Sequence, residues 1–249
     1  CLLSRGLGDV YKRQVTGCAG FIGFHLTKKF LSKNIKVCGI DNLNTYYDIR
    51  IKKDRLKLLL SKYKENFKFF KVDLTHDKSV KRIFKKEKFD IVINLAAQAG
   101  VRFSIKNPQA YVDSNLIGFF NVLNNIKIFK VKHFLFASSS SVYGDQKKMP
   151  ILENYSITKP IQFYAATKVA NEVMAHSYSH LFNIKSSALR FFTVYGPWGR
   201  PDMALFKFTK NILEKKPIEI FNKGDHERDF TYIDDCVEAV SKIALSKTK

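Results

Sequence analysis

The sequence predicts an α/β fold built on a doubly wound parallel sheet. Short apolar runs alternate with helix-like segments along most of the chain, which is the pattern of parallel βαβ units, and a glycine-rich stretch precedes the first predicted helix. In such sheets ligands bind beyond the carboxyl ends of the strands, so the residues that follow each run are the first candidates for a site. The predicted strands cover residues 35–41, 66–73, 89–97, 131–139 and 184–192, and the predicted helices cover residues 21–33, 51–63, 77–87, 108–129 and 160–182.

Both ends of the chain depart from this pattern. A run of about four or five apolar residues is expected before Val15, but the sequence there reads DVYKRQ. We therefore expect residues 1–14 to be a non-native leader and a central strand of the sheet to be missing. The alternative is that residues 10–16 still pair as a strand with an irregular inner face. At the other end, DDCVEAVSKIALSKTK predicts an amphipathic helix, which Asp234 and Asp235 are expected to cap.

The composition excludes several classes of protein. With 249 residues, of which 45% are hydrophobic and 14% aromatic, the chain can form one large globular domain or one domain and part of a second. No apolar stretch is long enough to span a bilayer, so no membrane partner is expected. Four cysteines without CxxC spacing indicate reduced thiols, and we expect a cytoplasmic protein.

The net charge of +21 raises the question of nucleic-acid binding. The lysines are scattered through every segment, as in IKKDRLKLLLSKYKENFKFFK, and form no stripe with interleaved aromatic residues. We therefore expect no specific nucleic-acid partner, and a polyanion-binding surface is the less favoured alternative. His176 and His180 have the spacing of a metal-binding pair, but no third ligand accompanies them, so no metal site is expected.

The glycine-rich stretch VTGCAGFIG is a candidate phosphate-binding loop. It places Gly17, Gly20 and Gly23 between a strand and a helix, where they permit a tight turn, a close approach of backbone to pyrophosphate, and close packing of the helix. Asp41 ends the next predicted strand, where its carboxylate can accept a ribose 2′-OH and would repel a 2′-phosphate. The pattern predicts NAD rather than NADP as cofactor; an ordinary turn with a capping aspartate is the alternative.

A tyrosine and a lysine four residues apart, Tyr164 and Lys168, form a second candidate motif. The predicted helix places them on one face, and the serines of FLFASSSSVYG follow a buried strand, which puts them at the ligand-binding edge of the sheet. A cation at ~4 Å in an effective dielectric of ~20 contributes about 4 kcal/mol. Lys168, with a positively charged nicotinamide, is therefore expected to lower the pKa of Tyr164 to about 7, where a general base works best. A surface pair without a chemical role is the alternative.

Four longer motifs give the chain a resemblance to a known family. They are DNLNTYYDIRIKKDRL (41–56), LAAQAGVRFSIKNPQAY (95–111), YAATKVANEVMAHSYSHL (164–181) and RFFTVYGPWGRPDMA (190–204). From Val15 onwards the chain resembles the extended short-chain dehydrogenases/reductases that epimerise nucleotide sugars, and within them the UDP-glucuronate 4-epimerases. The resemblance implies a Rossmann-type NAD-binding domain over residues 15–192. It also implies that residues 193–249 are the incomplete beginning of a smaller, substrate-binding C-terminal domain.

The resemblance implies roles for individual residues. Tyr164 is expected to take the proton from the sugar 4-OH, Ser139 to hydrogen-bond the same hydroxyl, and Lys168 to hold the nicotinamide ribose. Asn115 is expected near the crevice. The residues expected to bind NAD are Gly17, Gly20, Phe21, Ile22, Gly23, Asp41, Asn42, Asp73, Leu74, Leu95, Ala96, Ala97 and Lys168. The residues expected to bind the UDP-sugar substrate are Ser140, Ser141, Thr193, Arg200 and Arg228.

The implied reaction is the reversible inversion of C4 of UDP-glucuronate to UDP-galacturonate through a 4-keto intermediate, carried out by a homodimer when the protein is complete. Ser140 and Ser141 stand where related dehydratases and decarboxylases carry acidic residues, which disfavours elimination and decarboxylation. Arg200 is expected to pair with the sugar carboxylate, although it could instead hold its own loop. Trp198 is expected to pack in that loop rather than to stack on a sugar.

Three other functions stay open at this point. They are a 4-epimerase of a neutral UDP-hexose, another nucleotide-sugar-modifying member of the family, and a non-catalytic NAD-binding module. A chain with these two ends is also expected to fold poorly and to turn over slowly or not at all.

Overall fold

A six-stranded parallel sheet forms the centre of the protein. The computed structural model describes residues 12–225 and 227–246. The strands of the sheet are β1 (Arg13–Thr16), β2 (Val37–Asp41), β3 (Phe67–Lys71), β4 (Ile91–Asn94), β5 (His133–Ser139) and β6 (Ser186–Phe191). Their order is β3-β2-β1-β4-β5-β6, so the chain winds outwards in both directions from β1 and β4. This confirms the predicted doubly wound α/β fold. A separate parallel pair is formed by β7 (Thr193–Tyr195) and β8 (Phe230–Tyr232).

Helices cover both faces of the sheet. The α-helices of the described residues are α1 (Phe21–Ser32), α2 (Ile49–Lys62), α3 (Asp77–Glu87), α4 (Phe103–Lys106), α5 (Pro108–Tyr111), α6 (Gly118–Ile128), α7 (Phe163–Phe182), α8 (Ala204–Leu213) and α9 (Ile233–Leu245). One apolar cluster joins α1, α2 and α9 to the sheet, and a second joins α3, α6 and α7 to its other face. An ion pair of 2.5 Å between Lys29 and Glu238 also ties α1 to α9.

The first strand corrects one of the sequence predictions. Residues 13–16 are all buried and pair with β2 on one side and β4 on the other, so the central strand is present. Its inner face is irregular, as the alternative interpretation required, because Gln14 occupies a position beside Cys38 and Val92. The prediction of a non-native leader otherwise falls on residues 1–11, which lie outside the described residues.

Local sequence signals fix the N-terminal ends of two helices, α2 and α5. The side chain of Asp48 caps α2 by accepting from the backbone N–H of Arg50, and Asn107 caps α5 immediately before Pro108. The prediction that Asp234 and Asp235 cap the last helix is wrong. Tyr232 occupies the N-cap of α9 without a side-chain hydrogen bond, and the two aspartates lie in the first turn, where they favour the positive end of the helix dipole.

The long helix predicted over residues 108–129 is interrupted. Between α5 and α6 the backbone forms a π-helical turn, Val112–Ile117, and such turns are frequent at functional sites. None of the helices within the described residues has the length and apolar character that crossing a membrane requires.

Candidate active site

A cleft of about 1130 Å³ runs along the carboxyl ends of the strands. Every residue predicted to bind cofactor or substrate, or to act in the reaction, lines this cleft, from Gly17 in the glycine loop to Arg228 before β8. The structure therefore brings the predicted site residues together. Their individual roles stay predictions.

The glycine loop is shaped for close approach by a ligand. Gly17 has a φ of +69°, and a Cβ at this position would lie 2.8 Å from the backbone nitrogen of Ala96. A Cβ at Gly23 would lie 2.0 Å from the carbonyl oxygen of Gly17, so only glycine lets α1 pack against the turn. Because α1 begins at Phe21, its unpaired N–H groups and positive dipole end face the same loop. This cradle fits the diphosphate of a dinucleotide.

Asp41 connects the end of β2 to the glycine loop. Its carboxylate accepts from the backbone N–H of Ala19 at 3.1 Å and from that of Leu43 at 2.8 Å. Burial raises the pKa of Asp41, although these two N–H donors act in the opposite direction. The side chain is held rigidly at the edge of the cleft, where a ribose hydroxyl could reach its remaining lone pairs.

Asp73 follows β3 and lies on the same side of the cleft. It accepts from Asn42 Nδ2 at 2.7 Å and from the backbone N–H and hydroxyl of Thr75 at 2.9 and 2.7 Å. These hydrogen bonds lower the pKa of Asp73 in spite of its partial burial, so the carboxylate is ionised at neutral pH.

The serine turn after β5 lies beside the tyrosine and lysine of α7. Ser139 Oγ accepts from the backbone N–H of Ser141 at 3.2 Å, and Lys168 Nζ donates to the carbonyl oxygen of Ala137 at 2.8 Å. The Nζ atom lies 6.0 Å from the ring centroid of Tyr164. Lys168 is only 3% exposed, and burial lowers its pKa from 10.5 to about 8.

The predicted pKa of about 7 for Tyr164 is not produced by the protein's own groups. Burial raises the pKa of Tyr164, and the hydrogen bond with Ser139 and the charge of Arg200 offset only part of that increase. Lys168 Nζ donates to the carbonyl oxygen of Ala137, and the prediction of about 7 also included the positive charge of a bound nicotinamide, so it stays a prediction for the NAD-loaded protein. The helix spacing was read correctly, but the direction in which the lysine head group points depends on β5.

Asn115 is a buried residue that hydrogen-bonds to segments lining the cleft. It lies in the π-helical turn, is 2% exposed and bonds both backbone groups of Gln98, at 2.8 and 3.1 Å. Its Nδ2 also donates to Thr167 Oγ1 at 3.0 Å, and the Thr167 hydroxyl donates to the carbonyl of Tyr164 at 2.7 Å. Asn115 thus joins the loop after β4 to the first turn of α7.

A charged network beneath the serine turn was missed by the sequence analysis. Ser138 Oγ donates to Glu172 Oε1 at 2.5 Å, and the guanidinium of Arg190 donates to both oxygens of Glu172, from Nε at 3.0 Å and from Nη2 at 2.7 Å. Arg190 also donates to the hydroxyl of Tyr143 at 2.9 Å. The spacing of Glu172, four residues after Lys168, was the available signal because it places both on one face of α7.

Arg200 is paired within its own loop. Its Nε donates to Asp202 Oδ1 at 3.0 Å and its Nη2 to Oδ2 at 2.5 Å, while the hydroxyl of Tyr46 donates to Oδ2 at 3.2 Å. Although burial acts in the opposite direction, Arg200 lowers the pKa of Asp202, so the two charges offset each other. Asp202 and Tyr46 line the cleft but were not predicted.

Other residues in or near the cleft include Arg228, Trp198 and several basic side chains. Arg228 is exposed, and its Nη1 donates to the carbonyl of Glu227. Trp198 packs against Phe24 of α1 at 5.9 Å between ring centroids. Basic residues that line the cleft but were not predicted are Lys52, Arg102, Lys106 and Lys207. Within residues 12–225 and 227–246, no group of three or more His, Cys, Asp or Glu side chains is placed to hold a metal ion.

Comparisons with known proteins agree with this geometry. The profile of the NAD dependent epimerase/dehydratase family matches residues 14–249. The chain is 52% identical over 229 residues to protein CapI of Staphylococcus aureus, covering 92% of this chain and 68% of that protein. It is 48% identical over 221 residues to the UDP-glucuronate 4-epimerase of Thermodesulfobacterium geofontis, covering 89% of this chain and 68% of that protein.

A solved structure gives the same result. The crystal structure of UDP-glucuronic acid 4-epimerase from Bacillus cereus, in complex with UDP-glucuronic acid and NAD, has a TM-score of 0.89 and 36% sequence identity to this chain. The alignment covers 95% of this chain and 74% of that structure. The sequence, the fold and the glycine cradle lead to one conclusion: the protein is a member of the NAD-dependent epimerase/dehydratase family.

Proposed function

We propose that the protein inverts C4 of UDP-glucuronate to give UDP-galacturonate through a 4-keto intermediate. The observation that carries the proposal is that Tyr164, Ser139 and Arg200 line the same cleft as the glycine loop. Relatives of this chain named as UDP-glucuronate 4-epimerases support the choice of sugar.

NAD, the cofactor of the family, would lie across the carboxyl edge of the sheet. The glycine loop and the N-terminus of α1 would hold its diphosphate, and Asp41 the adenosine ribose. Leu74 and Asp73 would flank the adenine, and Lys168 would hold the nicotinamide ribose. The chemistry that NAD supplies when bound is reversible hydride transfer to and from C4.

The chain's own residues would handle the proton. Tyr164 would accept the proton of the sugar 4-OH as the C4 hydride leaves, and would return it to the ketone oxygen after the sugar has turned over. Ser139 would hydrogen-bond that same oxygen. The hydrogen bond with Ser139 and the charge of Arg200 already favour the phenolate of Tyr164 against burial. A further positive charge in the site would lower the pKa in the same direction.

The cleft would hold the sugar during its rotation without promoting side reactions. Arg228 and the other basic residues of the wall would hold the UDP diphosphate. Ser140 and Ser141 offer hydroxyl groups beside the sugar instead of a carboxylate, which disfavours abstraction of a proton next to the ketone and therefore elimination. Residues 15–192, together with Arg13 and Gln14 of β1, would form the cofactor-binding domain. Residues 193–249, which include β7, α8 and β8, would form the substrate-binding region.

We also propose that the protein forms a homodimer through α6 and α7. Apolar side chains on these helices are exposed, including Phe120 at 44%, Val173 at 59% and Leu181 at 65%. Burying such a surface against a second copy would remove them from water.

The test of the reaction is NMR of UDP-glucuronate incubated with the chain and NAD. The resonances of UDP-galacturonate should appear with the wild-type protein and should be absent with Tyr164→Phe, while NAD affinity is retained in both. Product formed at equal rates by the two proteins would refute the role of Tyr164. A wild-type protein that binds NAD and UDP-glucuronate without forming product would refute the reaction.

The ion pair of Arg200 with Asp202 favours a second candidate, a 4-epimerase of a neutral UDP-hexose, because the arginine charge is already balanced. Arg200→Ala separates the two. Under the first proposal it should reduce turnover of UDP-glucuronate by about 100-fold, the loss expected for a bidentate charged contact. Turnover of UDP-glucose should fall much less, because only the support of the Arg200 charge for the Tyr164 phenolate is lost.

A further inference from the structure

The ion pair between Arg200 and Asp202 receives a hydrogen bond from Tyr46, which lies in a different loop of the cleft. Tyr46 lies in the loop after β2 and donates to Asp202 from a position 156 residues earlier in the chain. The side chains of Arg200 and Asp202 are 23% and 20% exposed, so neither is freely solvated. A hydrogen bond that crosses between two loops restricts the motion of both.

Tyr46 is itself fixed by its neighbours. Its ring lies 4.9 Å from that of Phe103, and a Cβ at Gly100 would come within 2.4 Å of the Tyr46 hydroxyl, so the phenol occupies space that only glycine leaves open. Burial and the charge of Asp202 raise the pKa of Tyr46 to about 12. The hydroxyl is therefore protonated at neutral pH and is a permanent donor to the carboxylate.

Asp202 uses only one edge of the guanidinium. It accepts from Nε and Nη2, which leaves the outer edge of Arg200, formed by Nη1 and Nη2, with N–H donors that have no partner among the described residues and can bind a second carboxylate. Because Asp202 balances the charge, attraction of a further anion depends on the geometry of that outer edge more than on net charge. A guanidinium that is already held also loses less side-chain entropy when a ligand binds.

We propose that Asp202 and Tyr46 are positioning residues that orient the outer edge of Arg200 and thereby determine the preference of the cleft for an acidic over a neutral UDP-sugar. This inference rests on the proposed function, since it takes the C6 carboxylate as the ligand of that edge. It assigns specificity to two residues that need not touch the sugar.

The test is the ratio of the dissociation constants of UDP-glucose and UDP-glucuronate, measured by calorimetry on the NAD-loaded 249-residue chain. The wild-type protein should bind UDP-glucuronate more tightly. Tyr46→Phe removes one hydroxyl and should reduce the ratio by about 5-fold, and Asp202→Asn should reduce it by about 10-fold or more. Tyr63→Phe makes the same change in the C-cap residue of α2, outside the cleft, and should leave the ratio unchanged.

Two outcomes would overturn the inference. The ratio could be unaffected by both substitutions, or it could rise in Asp202→Asn, which would mean that Asp202 competes with the substrate for Arg200 instead of positioning it. A wild-type ratio near one would overturn it as well. The ratio is a binding measurement, so absence of UDP-galacturonate with an intact ratio would refute only the proposed reaction.

Discussion

Lys168 donates from Nζ to the carbonyl oxygen of Ala137 at 2.8 Å, which ties α7 to the end of β5 in the middle of the cleft. The ammonium group is thereby held 6.0 Å from the Tyr164 ring centroid in a position with 3% exposure. Burying a cation destabilises the folded state, and here the buried cation lies where the cofactor would bind.

The first prediction concerns the stability of this buried lysine. Burial lowers the pKa of Lys168 from 10.5 to about 8, so between these pH values the unfolded chain binds more protons than the folded one. The stability of the wild-type protein relative to Lys168→Met should therefore rise by about 3 kcal/mol as the pH increases from 8 to 10.5. Urea unfolding of both proteins across this range measures the difference. A difference that stays constant would show that Lys168 titrates alike in both states.

A second prediction concerns the glycine loop. Gly23→Ala places a Cβ 2.0 Å from the Gly17 carbonyl oxygen, so α1 must move away from the turn. We expect a loss of stability of about 2 kcal/mol from overpacking and the loss of detectable NAD binding. Gly20→Ala places its Cβ 3.0 Å from the same oxygen and should have a smaller effect on both. Fluorescence titration with NADH measures the affinity; equal affinity in Gly23→Ala and the wild type would contradict the packing argument.

A third prediction concerns the central strand. Gln14 has 0% exposure, and neither polar atom of its amide has a hydrogen-bond partner among the described residues. Gln14→Val replaces the amide by an apolar side chain of similar volume beside Cys38 and Val92, and should raise the free energy of unfolding by about 2 kcal/mol. Gln109→Val, at an exposed position on α5, is the control and should give no gain. Chemical denaturation compares them, and a destabilised Gln14→Val would mean that the amide is satisfied.

A fourth prediction concerns the network below the serine turn. Glu172→Gln leaves the Arg190 guanidinium without a counter-charge in a site where Arg190 is 20% exposed, and should reduce stability by about 3 kcal/mol. Arg190→Met should likewise be destabilising, because it leaves Glu172 unpaired. The double variant should be more stable than the sum of the two losses predicts, by about 1 kcal/mol or more. Additive losses in this cycle would show that the two charges do not act as a pair.

The arrangement of strands and helices was predictable because apolar runs and helical periodicity are local signals. The central strand was not, since Arg13 and Gln14 are polar. Hydrogen-bonded neighbours on both sides impose the extended conformation on β1, and tertiary pairing overrides composition there. The predicted strands were also longer than the observed ones; the strand predicted over residues 89–97, for example, is observed as Ile91–Asn94. Residues such as Ala96 and Ala97 continue the apolar run after β4 but line the cleft.

Site residues that belong to one sequence motif were predictable. Contacts between site residues that are far apart in the sequence were less predictable. The partnership of Tyr46 with Asp202 joins residues 156 apart, and nothing in either segment points to the other. The direction of the Lys168 ammonium group was not predictable for a related reason. The motif fixes the spacing of tyrosine and lysine on α7, but the carbonyl of Ala137 on β5 decides where the ammonium group points.

The packing of α9 on α1 has a consequence for how the chain folds during synthesis. The ion pair of Lys29 with Glu238 joins helices from opposite ends of the described chain. At ~5–20 residues per second, a ribosome needs about 10–40 s to complete the intervening segment. The part of α1 that packs against α9 therefore has no native cover over that time. The packing of this early helix is completed only by a late one, and contacts of such high sequence separation slow folding.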